Sequence, residues 1–117
     1  MEAALLVGLG GALGAVCRFW VYSTVALEDL PVATVLVNVL GSFLAGLFVF
    51  AGVGTPAHQV AVVGFCGSFT TFSSLAVETV QLWERGDRGL ALTHAGGTLV
   101  GALAGIGLAW TVVSLLA

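Results

Sequence analysis

The sequence contains no lysine, and Arg18, Arg85 and Arg88 are its only strongly basic residues. Charged residues make up 8% of the chain, whereas soluble domains carry roughly 25%. So few charges cannot coat a water-facing surface, and the mean hydropathy of +1.14 is that of a protein whose solvent is the lipid bilayer. Because neutralising phosphates requires a basic patch, the composition also excludes a nucleic-acid partner.

Catalytic and soft-metal motifs are absent as well. The sequence has no nucleophile elbow, no P-loop and no paired catalytic carboxylates, so we do not expect an enzyme. His58 and His94 lie far apart near the ends of apolar segments and form no histidine cluster. Cys17 and Cys66 lie in apolar surroundings, where we expect small buried core residues rather than metal ligands.

Four apolar windows are long enough to cross a bilayer, which takes about 20 residues. They cover residues 3–25, 32–53, 59–83 and 90–116, separated by polar segments at 28–31, 54–58 and 84–89. We therefore predict an all-α, multi-pass protein of the cell membrane, with one four-helix transmembrane domain spanning residues 1–117.

The distribution of charge gives only a weak preference for one orientation in the membrane. The three arginines fall on the side opposite the termini, and acidic residues flank two of them. A weak bias permits insertion in both orientations and hence an antiparallel pair. Four thin helices also enclose little interior, so a homodimer or heterodimer is expected.

The third window contains an unusual polar stretch, residues 64–75, with two glycines and five hydroxyl side chains. Such a run should loosen the helix near residues 67–70, and loosened backbone at membrane depth needs partners from protein or water. Exposed carbonyls at a break suit a hard cation such as Na⁺. A simple kink is the alternative interpretation.

Polar residues in the other windows allow two interpretations each. Asn38 and Ser42 are one helical turn apart, and their stripe is equally suited to interhelical hydrogen bonding and to lining a pore. Arg18 could attract anions or reach to the membrane interface. Glu78 could pair with Arg18, bind a cation or lie at a water-filled mouth.

Aromatic residues accompany the polar stretch. Phe69, Phe72 and Leu75 are spaced by three, which predicts that they share one side of the third helix. The edge of an aromatic ring carries partial positive charge. Ring edges beside hydroxyl groups could therefore coordinate an anion weakly at several points, which conduction requires.

Three motifs together resemble the Fluc/CrcB family of fluoride channels. Residues 10–18 read GGALGAVCR and are similar to the family's first-helix signature. Residues 37–43 read VNVLGSF and resemble its second-helix motif. Residues 64–73 read GFCGSFTTFS and resemble its third-helix motif, which is the most specific of the three. Their order and spacing match over essentially the whole chain.

The resemblance implies a fold, an activity and a set of site residues. It implies a dual-topology dimer of antiparallel subunits that passively exports fluoride through two pores at the interface and so relieves fluoride toxicity. A structural Na⁺ would lie on the two-fold axis, held by the backbone carbonyls of Gly67 and Thr70 from both subunits. The predicted pore positions are Asn38, Ser42, Thr71, Phe72, Ser73 and Leu75, with Arg18 and Glu78 at the pore ends. Ser42 is included because it continues the polar stripe that begins at Asn38.

Two positions depart from the family pattern. Leu75 stands where the family has a second pore phenylalanine, and Ala102 stands where a serine would line the track. Each change removes an anion-coordinating group. A non-conducting or half-active subunit of a heterodimeric fluoride channel is therefore the alternative. A small multidrug exporter is less consistent with the sequence, because its first helix would need a carboxylate where this chain has Arg18.

Overall fold

A computed structural model describes residues 2–25 and 30–117, and these are almost entirely helical. Residues 26–29, which hold part of the polar segment predicted between the first two helices, lie outside the described ranges. The elements in chain order are α1 (Glu2–Thr24), α2 (Val32–Ala51), α3 (Thr55–His58), a π-helical segment (Gln59–Cys66), α4 (Gly67–Phe69), α5 (Phe72–Glu84) and α6 (Arg88–Leu116).

Four of the helical stretches in the described residues are long and apolar enough to cross a membrane, which confirms the prediction of an all-α membrane protein. They are α1, α2, the composite stretch Thr55–Glu84, and α6. We refer to them as the first to fourth spans. The third span combines α3, the π-helical segment, α4 and α5.

Local backbone chemistry sets the helix ends. The second span stops at Ala51, two residues before the predicted end, because Gly52 adopts a left-handed conformation with φ of 70°. Its N–H donates to the carbonyls of Phe48 and Val49, which satisfies the last turn. The third span starts at Thr55, four residues earlier than predicted, with Pro56 in its first turn.

Close backbone contact joins the first and third spans. A Cβ placed on Gly10 would lie 2.1 Å from the Val60 carbonyl oxygen, and one on Gly14 would lie 2.3 Å from that of Phe65. From the other side, a Cβ on Gly64 would lie 2.7 Å from the Val7 carbonyl oxygen. Only glycine fits at these three positions, so bare backbone on both sides fixes how the first span meets the π-helical segment.

The second and fourth spans pack together in a similar way. A Cβ on Gly105 would lie 3.1 Å from the Val39 carbonyl oxygen, and one on Gly101 would lie 2.9 Å from the Val39 side chain. Gly97, although it shares their four-residue spacing, has no neighbouring atom within 4 Å of its added Cβ. Small residues therefore bring α6 close to α2 around Gly101 and Gly105, and again where Gly46 faces Ala109.

The apolar core is small, and it lies beside the end of α4. Val21, Ala33, Val37 and Phe69 form it, one or two from each of the first three spans. Most other large apolar side chains are exposed to the surroundings, as expected where lipid rather than water is the solvent. The buried Phe69 anchors the chain just before the third span is interrupted.

Candidate ion site at the break in the third span

The third span is interrupted at Thr70 and Thr71, both in extended conformations. Thr70 has φ −81° and ψ 160°, and Thr71 has φ −149° and ψ 119°. The break therefore comes slightly later than the predicted interval 67–70, because Gly67–Phe69 remain helical. The Thr70 N–H still donates to the Cys66 carbonyl at 3.1 Å, so the helical bonding ends only after it.

Asn38 from the second span supplies the hydrogen bonds that the broken backbone has lost. Its Oδ1 accepts from the Thr71 N–H at 2.7 Å, and its Nδ2 donates to the Thr71 carbonyl at 2.9 Å. The amide is 8% exposed. A primary amide carries two N–H donors and two lone pairs on oxygen. Asn38 therefore holds the break open and retains a second N–H for another partner.

The start of α5 presents several hydrogen-bond donors on one side of the break. Thr71 caps the helix by accepting the Ser74 N–H at 3.2 Å, and its hydroxyl lies 3.3 Å from that of Ser73. The N–H groups of Phe72 and Ser73 occupy the first turn, where a helix offers them no carbonyl partner. Together with the positive end of the helix dipole, these groups favour a negative charge.

Two carbonyl oxygens at the break have lost a helical donor or kept an acceptor position free. In a continuous helix the Gly67 carbonyl would accept the Thr71 N–H, but that donor is bonded to Asn38 instead. The Thr70 carbonyl accepts from the Arg18 guanidinium at 3.1 Å. A carbonyl oxygen has two lone pairs, so Thr70 retains one acceptor position. The break thus offers the kind of oxygen ligand that a hard cation takes.

The prediction that Phe69 and Phe72 share one helix side is wrong. Phe69 is buried in the core, whereas Phe72 is 81% exposed. The extended residues Thr70 and Thr71 rotate the chain between them, which a spacing rule for a continuous helix cannot take into account. Phe72 therefore projects from the molecule at the start of α5, one turn before the half-buried Leu75.

Two surface grooves run from the break along the polar side of α5. One, of about 350 Å³, lies against the first span and is lined by Arg18, Tyr22, Thr71, Ser73 and Ser74, together with Ala15 and Phe19. The next, of about 320 Å³, is lined by Ser73, Ser74, Val77, Glu78 and Gln81. The two grooves adjoin at Ser73 and Ser74, and we refer to them together as the polar path. Ser42 is half-buried on α2, one turn beyond Asn38.

Glu78 pairs with His94 and not with Arg18. The predicted pairing of Glu78 with Arg18 is therefore wrong. The Glu78 Oε1 lies 3.1 Å from the His94 Nε2, and its Oε2 accepts from the Thr34 hydroxyl at 2.9 Å. Thr34 in turn shares a hydrogen bond with the Tyr22 hydroxyl. Arg18 turns instead to the Thr70 carbonyl. One polar side chain from each span meets in this network.

His94 is the functional candidate that reasoning from the sequence passed over. As predicted it lies near one end of its span, six residues inside α6, and it is buried there. The available signal was its chemistry, since an ionisable side chain within a transmembrane helix is a functional hypothesis by default.

Together, the fold and this site define a multi-pass helical membrane protein whose third span is interrupted at Thr70 and Thr71. A family model described as "CrcB-like protein, Camphor Resistance (CrcB)" matches residues 5–110. The chain belongs to this CrcB family.

Relatives support the same assignment. The chain is 54% identical over 113 residues to fluoride-specific ion channel FluC 2 of Haloarcula marismortui, covering 97% of this chain and 95% of that protein. It is 52% identical over 100 residues to FluC 2 of Natronomonas pharaonis, covering 86% and 84% of the two chains. It is 40% identical over 111 residues to FluC 1 of Halobacterium salinarum, covering 95% and 93%.

Proposed function

We propose that this chain is a fluoride-specific ion channel that lets fluoride leave the cell passively across the cell membrane. The observation that carries the proposal is the paired hydrogen bonding of the Asn38 amide to the Thr71 backbone at the helix break. The arrangement leaves amide, hydroxyl and backbone donors beside an exposed aromatic ring. The family and the names of the relatives support the same function.

The chemistry of fluoride explains why such a site would suit it. Fluoride is small and strongly hydrated, so removing its water is the main barrier to permeation. The N–H groups of Phe72 and Ser73, the Ser73 and Thr71 hydroxyls and the spare Asn38 N–H are the replacement donors. Several weak contacts in succession allow an ion to enter and leave, whereas one strong site would trap it.

A second subunit is needed to enclose the path. The grooves beside α5 are open in a single chain, and the Phe72 ring, at 81% exposed, has almost no neighbours of its own. We propose an antiparallel dimer, in which a partner covers Phe72, Ser73 and the adjoining grooves. Both faces of the break would then be shielded from lipid, as irregular backbone at membrane depth requires.

We further propose that the carbonyls of Gly67 and Thr70 hold a structural Na⁺ at the dimer axis. Two carbonyls from one chain are too few for a hard cation, and two copies would supply four. The Gly67 carbonyl fits this role because its helical donor is diverted to Asn38. Thr70 would share its oxygen between the ion and Arg18. When bound, the ion would neutralise carbonyl dipoles that meet at the axis.

A heterodimer is a second candidate because of two particular residues. Leu75 is half-buried on α5 and Ala102 half-buried on α6, and neither can donate a hydrogen bond or present a ring edge to an anion. If these positions impair the pores of a homodimer, purified chain alone will give no efflux until a homologous subunit is added.

The test is fluoride efflux from liposomes that contain the purified chain, followed with a fluoride electrode. We expect rapid efflux from the wild type and about two-fold to ten-fold slower efflux from Phe72→Ile, since a favourable aromatic edge contributes about 0.5–1.5 kcal/mol. The matched control is Phe50→Ile, an exposed phenylalanine at the end of α2, which should leave efflux unchanged. Equal efflux from both variants would contradict the proposed role of Phe72.

A further inference from the structure

The Glu78 carboxylate is the acidic end of a network that draws on all four spans. Tyr22, Thr34 and His94 join it through hydrogen bonds, with the imidazole Nε2 at 3.1 Å from Oε1. The His94 side chain is 3% exposed and the Glu78 side chain 24% exposed. A carboxylate that is three-quarters buried within a membrane-spanning helix is stabilised by a partner that can neutralise it.

Within the described residues, His94 is the one basic side chain paired with Glu78. Arg18 on α1 donates to the Thr70 carbonyl, Arg85 forms an ion pair with Asp87 at 3.5 Å, and Arg88 stacks over the Trp83 ring at 4.8 Å. Neutralisation of the carboxylate therefore depends on whether the imidazole carries a proton.

The other elements packed around the pair contribute few ionisable groups. The first span adds the Tyr22 hydroxyl, and the second adds Thr34, which does not titrate. On α5 the neighbouring polar residue in the groove is the neutral Gln81. Glu28 and Asp29 precede α2 and lie outside the described residues.

The pair lies beside the path proposed for the anion. Glu78 lines the same groove as Ser73 and Ser74, and it follows Ser74 by one helical turn, a rise of about 6 Å. An anion moving along these hydroxyls would meet either a carboxylate balanced by an imidazolium or a carboxylate with full negative charge. The second state repels fluoride.

We propose that His94 positions and neutralises Glu78, so that protonation of the His94–Glu78 pair sets the charge that fluoride meets at one end of the polar path. This inference rests on the proposed conduction of fluoride. With the imidazole protonated, the pair has no net charge and the anion passes. With it deprotonated, the pair carries one negative charge and efflux slows.

The size of the effect follows from Coulomb's law. One unit charge within about 10 Å of the path, at an effective dielectric constant of about 20, changes the population or passage of an anion by about ten-fold or somewhat more. Efflux should therefore be about ten-fold slower with the imidazole neutral than with it protonated, and the test compares about pH 6 with about pH 8.

The experiment measures liposome efflux at these two pH values, with the leak of protein-free liposomes subtracted. In His94→Gln the amide can still donate to Glu78 but cannot be protonated, so efflux should be slow and equal at both pH values. The double variant Glu78→Gln/His94→Gln should regain fast efflux without pH dependence. His58→Gln, which changes the other histidine of the chain, should keep the wild-type profile.

The double variant separates charge from structure. If the network only held the helices together, removing a second member would slow efflux further rather than restore it. Wild-type pH dependence retained in His94→Gln, or a wild type with no pH dependence, would overturn the proposal.

A second readout does not require conduction. In a His58→Gln background His94 is the single histidine, so the nitrogen resonances of its ring report its titration directly. The titration should change when Glu78→Gln is added, and an unchanged titration would refute the pairing. If the wild type shows no efflux at any pH while this titration does change, the proposed fluoride conduction is wrong. The electrostatic interaction between His94 and Glu78 would still be supported.

Discussion

Replacing Asn38 with aspartate would disturb the break with the smallest change of shape. One oxygen of the new carboxylate could still accept the Thr71 N–H, which now donates to Oδ1 of the amide at 2.7 Å. The other oxygen would face the Thr71 carbonyl, which the amide Nδ2 now donates to at 2.9 Å. One buried hydrogen bond is lost and two acceptors are brought into contact.

The expected magnitude combines two penalties. Losing the partner of a buried carbonyl costs about 1–3 kcal/mol. A fixed negative charge some 4–8 Å from a passing anion adds about 2–4 kcal/mol at an effective dielectric constant of about 20. The first cost lowers the stability of the fold, and the second raises the barrier to permeation. Since about 1.4 kcal/mol corresponds to ten-fold in rate, efflux should fall by about thirty-fold to several hundred-fold.

The assay is liposome efflux, combined with size-exclusion chromatography to establish that the variant still folds and assembles. Gln59→Glu is the matched control, because it makes the same amide-to-carboxylate change at the half-buried start of the π-helical segment. It should conduct like the wild type. If Asn38→Asp folded normally and conducted as fast as the wild type, the Asn38–Thr71 pair would have no part in permeation.

Two further predictions concern stability and assembly. Gly14→Ala should lower the Tm in detergent by several degrees or prevent folding, because its Cβ would lie 2.3 Å from the Phe65 carbonyl oxygen. The control Gly8→Ala, whose Cβ would have no atom within 4 Å, should leave the Tm unchanged. Equal Tm values for the two variants would contradict the packing of α1 on the π-helical segment. Replacing Na⁺ in the buffer with a large organic cation should lower the Tm of the dimer, because the carbonyls of Gly67 and Thr70 would lose their shared ligand. A Tm that does not depend on the cation would refute the proposed sodium site.

Composition and motif spacing predicted the broad outline of the fold. Hydropathy located the four spans, because in lipid only helices satisfy their own backbone. The same reasoning predicted that the hydroxyl-rich stretch in the third span would interrupt the helix. Asn38 was predicted to have a specific role because a primary amide in hydrocarbon requires a hydrogen-bond partner. These conclusions depend on the bilayer as solvent, which acts on every residue independently of tertiary contacts.

The side-chain partners could not be predicted in the same way. Whether Asn38 bonds a side chain or a backbone depends on how α2 lies against the break, which no spacing rule gives. The pairing of Glu78 with His94 joins residues from two different spans, whereas the sequence analysis gave Arg18 as the possible partner of Glu78. Phe69 and Phe72 lie on different sides because the extended residues Thr70 and Thr71 rotate the chain between them.

The most direct test of the central claim is the selectivity of the current carried by the purified chain in a planar bilayer. Fluoride and chloride gradients would be set in opposite directions, and the reversal potential measured. A path of amide, hydroxyl and ring-edge donors narrow enough to strip a small anion predicts a reversal potential that follows the fluoride gradient alone. A reversal potential that shifts toward the chloride gradient, or toward that of the cation, would contradict the account.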